Sequence, residues 1–190
     1  MDDADLVLTR HKLTVDDYYR MADAGILTGD DRVELIDGEI IDMAPIGQDH
    51  AGTVNRLAEA LIQAFAGRAI VSTQNPIRLD DLSEPQPDFA VLRRRADFYT
   101  TGERPGSDDV LLLIEVADSS LRFDRTVKLP LYARAGIPDV WIVDLRRRVV
   151  DVHRVPGDGC YADIITKQMG DTLSPSLAPE VRLTLDQVFG

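Results

Sequence analysis

The alternation of apolar and polar residues predicts a hairpin near the start of the chain. In RVELIDGEIIDM, residues 32–43, the two kinds of residue alternate on each side of the pair Asp37-Gly38. An Asp-Gly pair between two alternating segments favours a hairpin with a type I′ turn. Upstream, Thr14 followed by Asp17 is typical of a helix N-terminus, so we predict a helix from there to about residue 24.

The rest of the chain predicts two longer helices and a series of short strands. Apolar residues recur at helical spacing over 49–66 and are followed by Gly67, which predicts a helix there. A second helix is predicted at 124–135, with Pro130 expected to break off its first turn or to kink it. Short apolar segments predict strands at 69–73, 76–79, 87–92, 110–116, 140–145 and 149–155. The remaining predictions are a short helix within 93–101, a polar loop at 102–109, and a final short strand and helix within 181–189.

The order of these elements predicts an α/β fold. The helix at 124–135 lies between the strands 110–116 and 140–145, as in a crossover connection, so these two strands are expected to be parallel. The other connections read as hairpins. We therefore predict a mixed sheet flanked by helices, with an N-terminal helix and hairpin, in one domain spanning 1–190.

Composition narrows the possible classes of function. The net charge is -12, which argues against a broad basic surface for nucleic acid, because phosphate contacts dominate that affinity. Local basic clusters remain at 93–95 and 146–148. The single cysteine, Cys160, excludes an internal disulfide and a thiolate zinc cluster. The chain carries no GxGxxG, Walker A, HExxH or CxxC motif.

The chain shows no sign of a membrane or a secretory address. No apolar run reaches the length of a membrane-spanning helix. The N-terminal stretch MDDADLVLTRHKL is acidic and lacks the basic and apolar regions of a signal peptide. We expect a cytoplasmic protein.

Two carboxylates interrupt otherwise apolar strands. Glu115 lies in LLLIEVA and Asp88 in PDFAVL. Burying a carboxylate without a partner costs several kcal/mol, and two carboxylates on neighbouring strands repel each other unless a cation lies between them. A hard cation such as Mg²⁺ or Mn²⁺ takes oxygen ligands. Either residue alone is better explained by a strand end that faces solvent, but the pair, together with the residues that follow, leads us to predict that Asp88 and Glu115 bind a metal.

Three further residues are candidates for the same site. Lys128 is four residues from Asp124 on a predicted helix, so it forms either a surface ion pair or a cation that points at the carboxylates. Glu34 either extends the carboxylate cluster or occupies the polar face of its strand. His50, at a helix start, is a general base, a phosphate contact or a surface residue.

The order of these residues along the chain resembles a known family. Glu34 in VELIDGEI, His50, Pro87-Asp88 and the stretch EVADSSLRFDRTVKLPLYARAGIPDVWIVD together resemble the restriction-endonuclease-like Uma family, within the PD-(D/E)XK nuclease superfamily. The resemblance runs from about residue 13 to the end of the chain. It implies a restriction-endonuclease-like mixed sheet flanked by helices, and a phosphodiesterase site that uses Mg²⁺, for which Mn²⁺ can substitute.

The resemblance also implies roles for individual residues. Asp88 and Glu115 match the two acidic residues of the superfamily motif. The lysine expected two residues after Glu115 is replaced by Ala117, and the family offers Lys128 from the following helix instead. Glu34 is then expected to hold the metal through water or to steady Lys128, and His50 to contact the phosphate.

These observations lead to one main functional hypothesis and two alternatives. The main hypothesis is a metal-dependent endonuclease that hydrolyses DNA. A homodimer is compatible with it, since two sites related by a two-fold axis suit the cutting of both strands. The first alternative is a catalytically silent relative that binds nucleic acid or a protein partner, which the charge of -12 and the displaced lysine favour. The second alternative is a hydrolase of RNA or a small phosphodiester.

Overall fold

The N-terminal part of the chain forms the helix, hairpin and long helix that the sequence predicts. A computed structural model describes residues 9–190, so residues 1–8, on which the cytoplasmic prediction partly depends, lie outside the described residues. The elements are Val15–Asp23 (α1), Val33–Ile36 (β1), Glu39–Asp42 (β2) and Gln48–Phe65 (α2). Thr14 and Asp17 form a capping box at the start of α1.

A six-stranded mixed sheet follows and positions most of the other elements. Its strands are Ala69–Thr73 (β3), Phe89–Arg93 (β4), Val110–Ala117 (β5), Asp139–Asp144 (β6), Val149–Pro156 (β7) and Tyr161–Lys167 (β8). The strands lie in chain order, and only the pair of β5 and β6 is parallel. The predicted crossover and the α/β mixed-sheet fold are confirmed.

The crossover helix between β5 and β6, named α3 here, contains a π-helical turn. It runs through Leu121–Phe123, the π turn Asp124–Lys128, and Leu129–Arg134. Pro130 lacks an N–H for the carbonyl four residues back, and its ring collides with that carbonyl in a regular α-helix. The π turn immediately before Pro130 relieves this conflict, and π turns occur often at functional sites.

The sheet buries a core on each face. On one face the apolar sides of α2 and of the C-terminal elements pack on side chains such as Ile114 and Trp141. On the other face α3 packs on the alternate positions, among them Leu113 and Ala117. The C-terminal elements are Thr172–Leu173 (β9), Leu183–Thr184 (β10) and Leu185–Phe189 (α4), so the strand and helix predicted within 181–189 are present.

Two predictions of local structure are wrong, and one strand was not predicted. The segment 76–79 is an irregular loop with one isolated bridge, from Arg78 to Gly106, because its proline-rich surroundings interrupt strand pairing. Residues 93–101 form the end of β4 and turns, with no helix. The edge strand β8 was not predicted, since its exposed face lacks a regular alternation of apolar and polar residues.

Among the described residues, none of the helices has the length and hydropathy that crossing a bilayer requires.

The turn at Asp37-Gly38 gives a test of the hairpin. Both residues have positive φ, 47° and 76°, as a type I′ turn requires. A Cβ added at Gly38 would lie 2.6 Å from the Cβ of Lys12. We expect Gly38→Ala to lower the free energy of unfolding by about 2 kcal/mol or more, measured by urea denaturation.

Gly67→Ala is the matched control, because Gly67 also has positive φ, of 80°, but meets no atom within 4 Å. It should cost less, about 1 kcal/mol, for the backbone alone. Equal losses for the two variants would show that the contact between the hairpin and residue 12 does not matter.

Candidate active site

Asp88 and Glu115 project from neighbouring strands onto the same face of the sheet. Side chains alternate along a strand, and Ala90 and Leu113 belong to the core beneath α3. Glu115 therefore points towards α3, and so does Asp88, immediately before β4. The antiparallel register pairs Phe89 with Ile114, which brings the next pair, Asp88 and Glu115, side by side.

Asp88 is held by three neighbours. Its Oδ2 accepts the backbone N–H of Val116 at 2.8 Å and lies 3.1 Å from Nε2 of His50. Its Oδ1 accepts the side-chain amide of Gln74 at 3.2 Å. The hydrogen bond to Asp88 raises the pKa of His50, against the effect of burial. This arrangement fixes the direction of the Asp88 carboxylate.

Glu115 is almost fully buried, with 3% of its surface exposed. Its Oε1 accepts the hydroxyl of Tyr132 at 2.5 Å and lies 3.3 Å from Nζ of Lys128. Burial is the main cause that raises the pKa of Glu115 to about 8, and the carboxylates of Asp124 and Asp88 add to it. Burial therefore favours the protonated form of Glu115, and the ammonium of Lys128 opposes this effect.

The ammonium of Lys128 lies between Glu115 and the hairpin. Its Nζ is 3.0 Å from Oε2 of Glu34 and 3.3 Å from Oε1 of Glu115. Glu34 also accepts the backbone N–H of Gln86 at 2.9 Å. Burial opposes the charge of Lys128, but the surrounding carboxylates outweigh it and raise the lysine pKa. Lys128 thus remains charged inside the protein, and its position is set by Glu34.

A fourth carboxylate, Asp124, belongs to the same cluster. It is 3% exposed, and its Oδ2 accepts the hydroxyl of Ser120 at 2.7 Å. Burial raises the pKa of Asp124 to about 6. The sequence left two alternatives for Asp124 and Lys128: a surface ion pair, or a lysine that points at the carboxylates. Both residues are buried within the π turn of α3, which excludes a surface ion pair.

The cluster lines a cavity of about 310 Å³. All five residues predicted as site residues are among its lining: Glu34, His50, Asp88, Glu115 and Lys128. The structure therefore brings together every predicted residue, while their catalytic roles remain predictions. Sequence reasoning missed Gln74, Gln86 and the hydrogen bond of Tyr132, because an isolated glutamine or tyrosine gives no signal of which side chain it contacts.

The charges of the cluster do not balance. Four buried or half-buried carboxylates face one lysine and one histidine. Such an excess of negative charge is stable only if protons or a cation compensate it. In the described part of the chain no three His, Cys, Asp or Glu side chains converge as a ready metal site. Two carboxylates suit Mg²⁺ nevertheless, since it keeps several waters and completes its shell with substrate phosphate.

Comparison with known proteins now identifies the family. A family model described as "Uma2: Putative restriction endonuclease" matches residues 15–186. The chain belongs to the Uma2 family. The resemblance inferred from the order of site residues is confirmed, and membership supports a nuclease-like function.

A solved structure supports the fold of this Uma2 protein. A crystal structure of a protein described as a putative nuclease of the DUF820 family, from Anabaena variabilis, is similar with a TM-score of 0.70. The match covers 93% of this chain and 97% of that chain at 16% sequence identity. At that identity the likeness shows the fold alone. No curated protein matches the chain.

Because the pKa of Glu115 is raised, replacing it with a residue that cannot ionise should stabilise the protein increasingly as the pH rises. The folded-state pKa of about 8 lies above the ordinary value of 4.5, so folding stability is lost as the pH rises from about 4.5 to 8. Glu115→Gln cannot ionise. In metal-free buffer we expect its stability relative to wild type to increase by on the order of 2 kcal/mol between pH 5 and pH 8.5, measured by thermal and urea unfolding.

Glu59→Gln, on the exposed side of α2, is the control and should show no such trend. A Glu115→Gln variant whose relative stability stays constant or falls over this pH range would contradict the account of a buried, uncompensated carboxylate.

Proposed function

We propose that this Uma2 protein is a Mg²⁺-dependent endonuclease that hydrolyses phosphodiester bonds of DNA. The observation that carries the proposal is the position of Lys128, whose ammonium lies 3.3 Å from Glu115 on the sheet face where Asp88 also projects. A cation on the same face as two carboxylates suits phosphodiester hydrolysis, because it stabilises the negative charge that develops on the phosphate in the transition state.

Asp88 and Glu115 are the proposed ligands of the metal. When bound, Mg²⁺ supplies Lewis acidity at the scissile phosphate and favours the ionised form of a water molecule. Both residues offer hard oxygen donors, and Asp88 is already oriented by Gln74 and by the backbone of Val116. Tyr132 holds the side chain of Glu115 from the α3 side.

Lys128 is proposed to replace the lysine that superfamily members carry on the strand itself. A long side chain can deliver the same charge from another backbone position. Glu34 keeps the ammonium in place at 3.0 Å, so the lysine is positioned before substrate arrives. Its ammonium then stabilises charge on the phosphate or orients the attacking water.

His50 is proposed to serve as a phosphate contact at the entrance to the cavity. Its Nε2 is engaged by Asp88 at 3.1 Å, and the neighbouring carboxylates favour its charged form. A protonated imidazole beside the metal ligands attracts a phosphate. Homodimer formation, with two sites for the two strands of a duplex, remains part of the proposal.

A catalytically silent protein that binds nucleic acid or a protein partner is the second candidate. The observation that favours it is the lack, within the described residues, of three converging metal-binding side chains. The net charge of -12 also favours a catalytically silent protein over a DNA nuclease, since it weakens attraction to DNA. The two candidates differ in whether divalent metal and DNA together produce a cut product.

DNA cleavage with Lys128 variants tests the proposal. We expect the wild type to cut DNA in Mg²⁺ or Mn²⁺, and Asp88→Ala and Lys128→Met to lose at least about a hundredfold in rate, since each removes transition-state stabilisation. Gel analysis of plasmid and labelled linear DNA, with RNA in parallel, measures the products.

The matched control is Lys167→Met, which removes one lysine outside the site. Lys167 is the last residue of β8 and is remote in sequence from the cluster. Circular dichroism of each variant establishes that it is folded. Equal activity of Lys128→Met and Lys167→Met would contradict the role given to Lys128, and a wild type that cuts RNA alone would assign another substrate.

A further inference from the structure

Part of the cavity lining is apolar, which the chemistry of phosphate hydrolysis alone does not explain. Besides the carboxylates, the lining includes five apolar residues, together called the apolar wall here: Ile41, Met43, Pro45, Ile46 and Phe123. Four of these belong to the end of β2 and the loop that leads to α2, and Ile46 is 45% exposed. Phe123 comes from the start of α3. An exposed apolar surface beside a reactive site indicates contact with an apolar part of the substrate.

The charges around the cavity disfavour a fully paired duplex. The lining carries six carboxylates: Glu34, Asp42, Asp88, Glu115, Asp118 and Asp124. Its basic side chains are Arg32 and Lys128, with His50 as a third when protonated. Lys128 is occupied by two carboxylates, and Arg32 donates to the carbonyl of Ala44 at 3.2 Å. Binding to a duplex relies on many phosphate contacts, and this mouth offers few.

The faces of nucleobases match the apolar wall. In a duplex these faces are stacked within the helix, and only the edges of the bases are accessible in the grooves. In an unpaired strand the faces are free to stack on aromatic and aliphatic side chains. A cavity of about 310 Å³ is near the lower limit for ligand sites, about 300 Å³, so it admits a small part of one strand at a time.

From these observations we propose that the substrate is single-stranded or locally unpaired DNA, with a base next to the scissile phosphate stacked against Phe123 and Ile46. This inference rests on the nuclease function proposed above and names the form of its substrate. The bound strand places its phosphate towards Asp88, Glu115 and Lys128 while its base covers the apolar wall. Stacking then supplies the binding energy that the sparse cations do not.

A matched set of DNA substrates tests the inference. A labelled oligonucleotide is supplied alone, fully paired with its complement, and as a hairpin with an unpaired loop. With Mg²⁺ present, we expect the kcat/KM of the wild type to be at least about tenfold higher for the single strand than for the duplex. In the hairpin, cuts should fall in the loop.

Substitutions in the apolar wall test whether the preference for single-stranded DNA comes from stacking of a base on Phe123 and Ile46. Phe123→Ala should lower kcat/KM for the single strand about tenfold, mainly through KM, because one stacking contact is lost. Phe123→Tyr keeps an aromatic face and should retain most of the activity. Ile46→Ser should also lower kcat/KM for the single strand. Because Ile46 lies in a separate and exposed loop, this variant still tests the contact if Phe123→Ala fails to fold. Fluorescence anisotropy of the labelled strand in metal-free buffer provides a readout of binding without turnover.

The possible outcomes separate the two proposals. A duplex that is cut as well as or better than the single strand overturns this inference and leaves the nuclease function standing. The same holds if Phe123→Ala and Ile46→Ser bind the single strand as tightly as the wild type does. If no DNA is cut and the wild type behaves as Asp88→Ala does, the nuclease function itself fails, and the inference fails with it.

Discussion

The ion pairs of the buried Lys128 connect the parts of the structure that form the site. Its ammonium lies between Glu34 of the hairpin and Glu115 of the central sheet, at 3.0 and 3.3 Å. Breaking a buried pair by removing one partner costs about 3–5 kcal/mol, because the remaining charge has no compensation. Lys128 of α3 therefore contacts both the hairpin and the sheet through one charged group. The π turn before Pro130 is the local feature that buries this lysine together with Asp124.

The same cluster explains why the protein is built with an excess of buried negative charge. Burial raises the pKa of Glu115 to about 8 and that of Asp124 to about 6, so burial disfavours the charged form of both carboxylates. Buried carboxylates of this kind lower the stability of the fold, as is common where a site is arranged for activity. Binding of the proposed metal would release protons, because a carboxylate binds a metal in its ionised form.

Local sequence signals predicted the parts of the fold that depend on near neighbours. The Asp37-Gly38 turn, the capped α1 and the crossover between β5 and β6 follow from turn chemistry, capping and connection rules. The edge strand β8 could not be predicted, because an edge strand with one exposed face needs only its partner β7 and no regular alternation. The loop at 76–79 looked like a strand by composition, but its place is set by tertiary contacts.

The candidate site also contains residues that the sequence predicted and residues whose contacts depend on the tertiary structure. Asp88 and Glu115 were recognisable because a carboxylate in an apolar strand is unusual. Asp124 is buried within the π turn, and the contact of Gln74 with Asp88 follows from the register that pairs β3 with β4, so neither is visible in the sequence. The apolar wall was likewise not predictable, since Ile46 and Phe123 are separated in the chain by α2 and three strands of the sheet.

The central claim is that the carboxylates beside Lys128 form a metal site, and calorimetry tests it most directly. Mn²⁺ is titrated at pH 7 into the wild type and Asp88→Ala, in two buffers with different enthalpies of ionisation. The account predicts that the wild type binds the ion and releases protons, because Glu115 must ionise, and that Asp88→Ala does not bind. A wild type that takes up no Mn²⁺ at millimolar concentration, alone or with a short oligonucleotide to complete the metal shell, would contradict it.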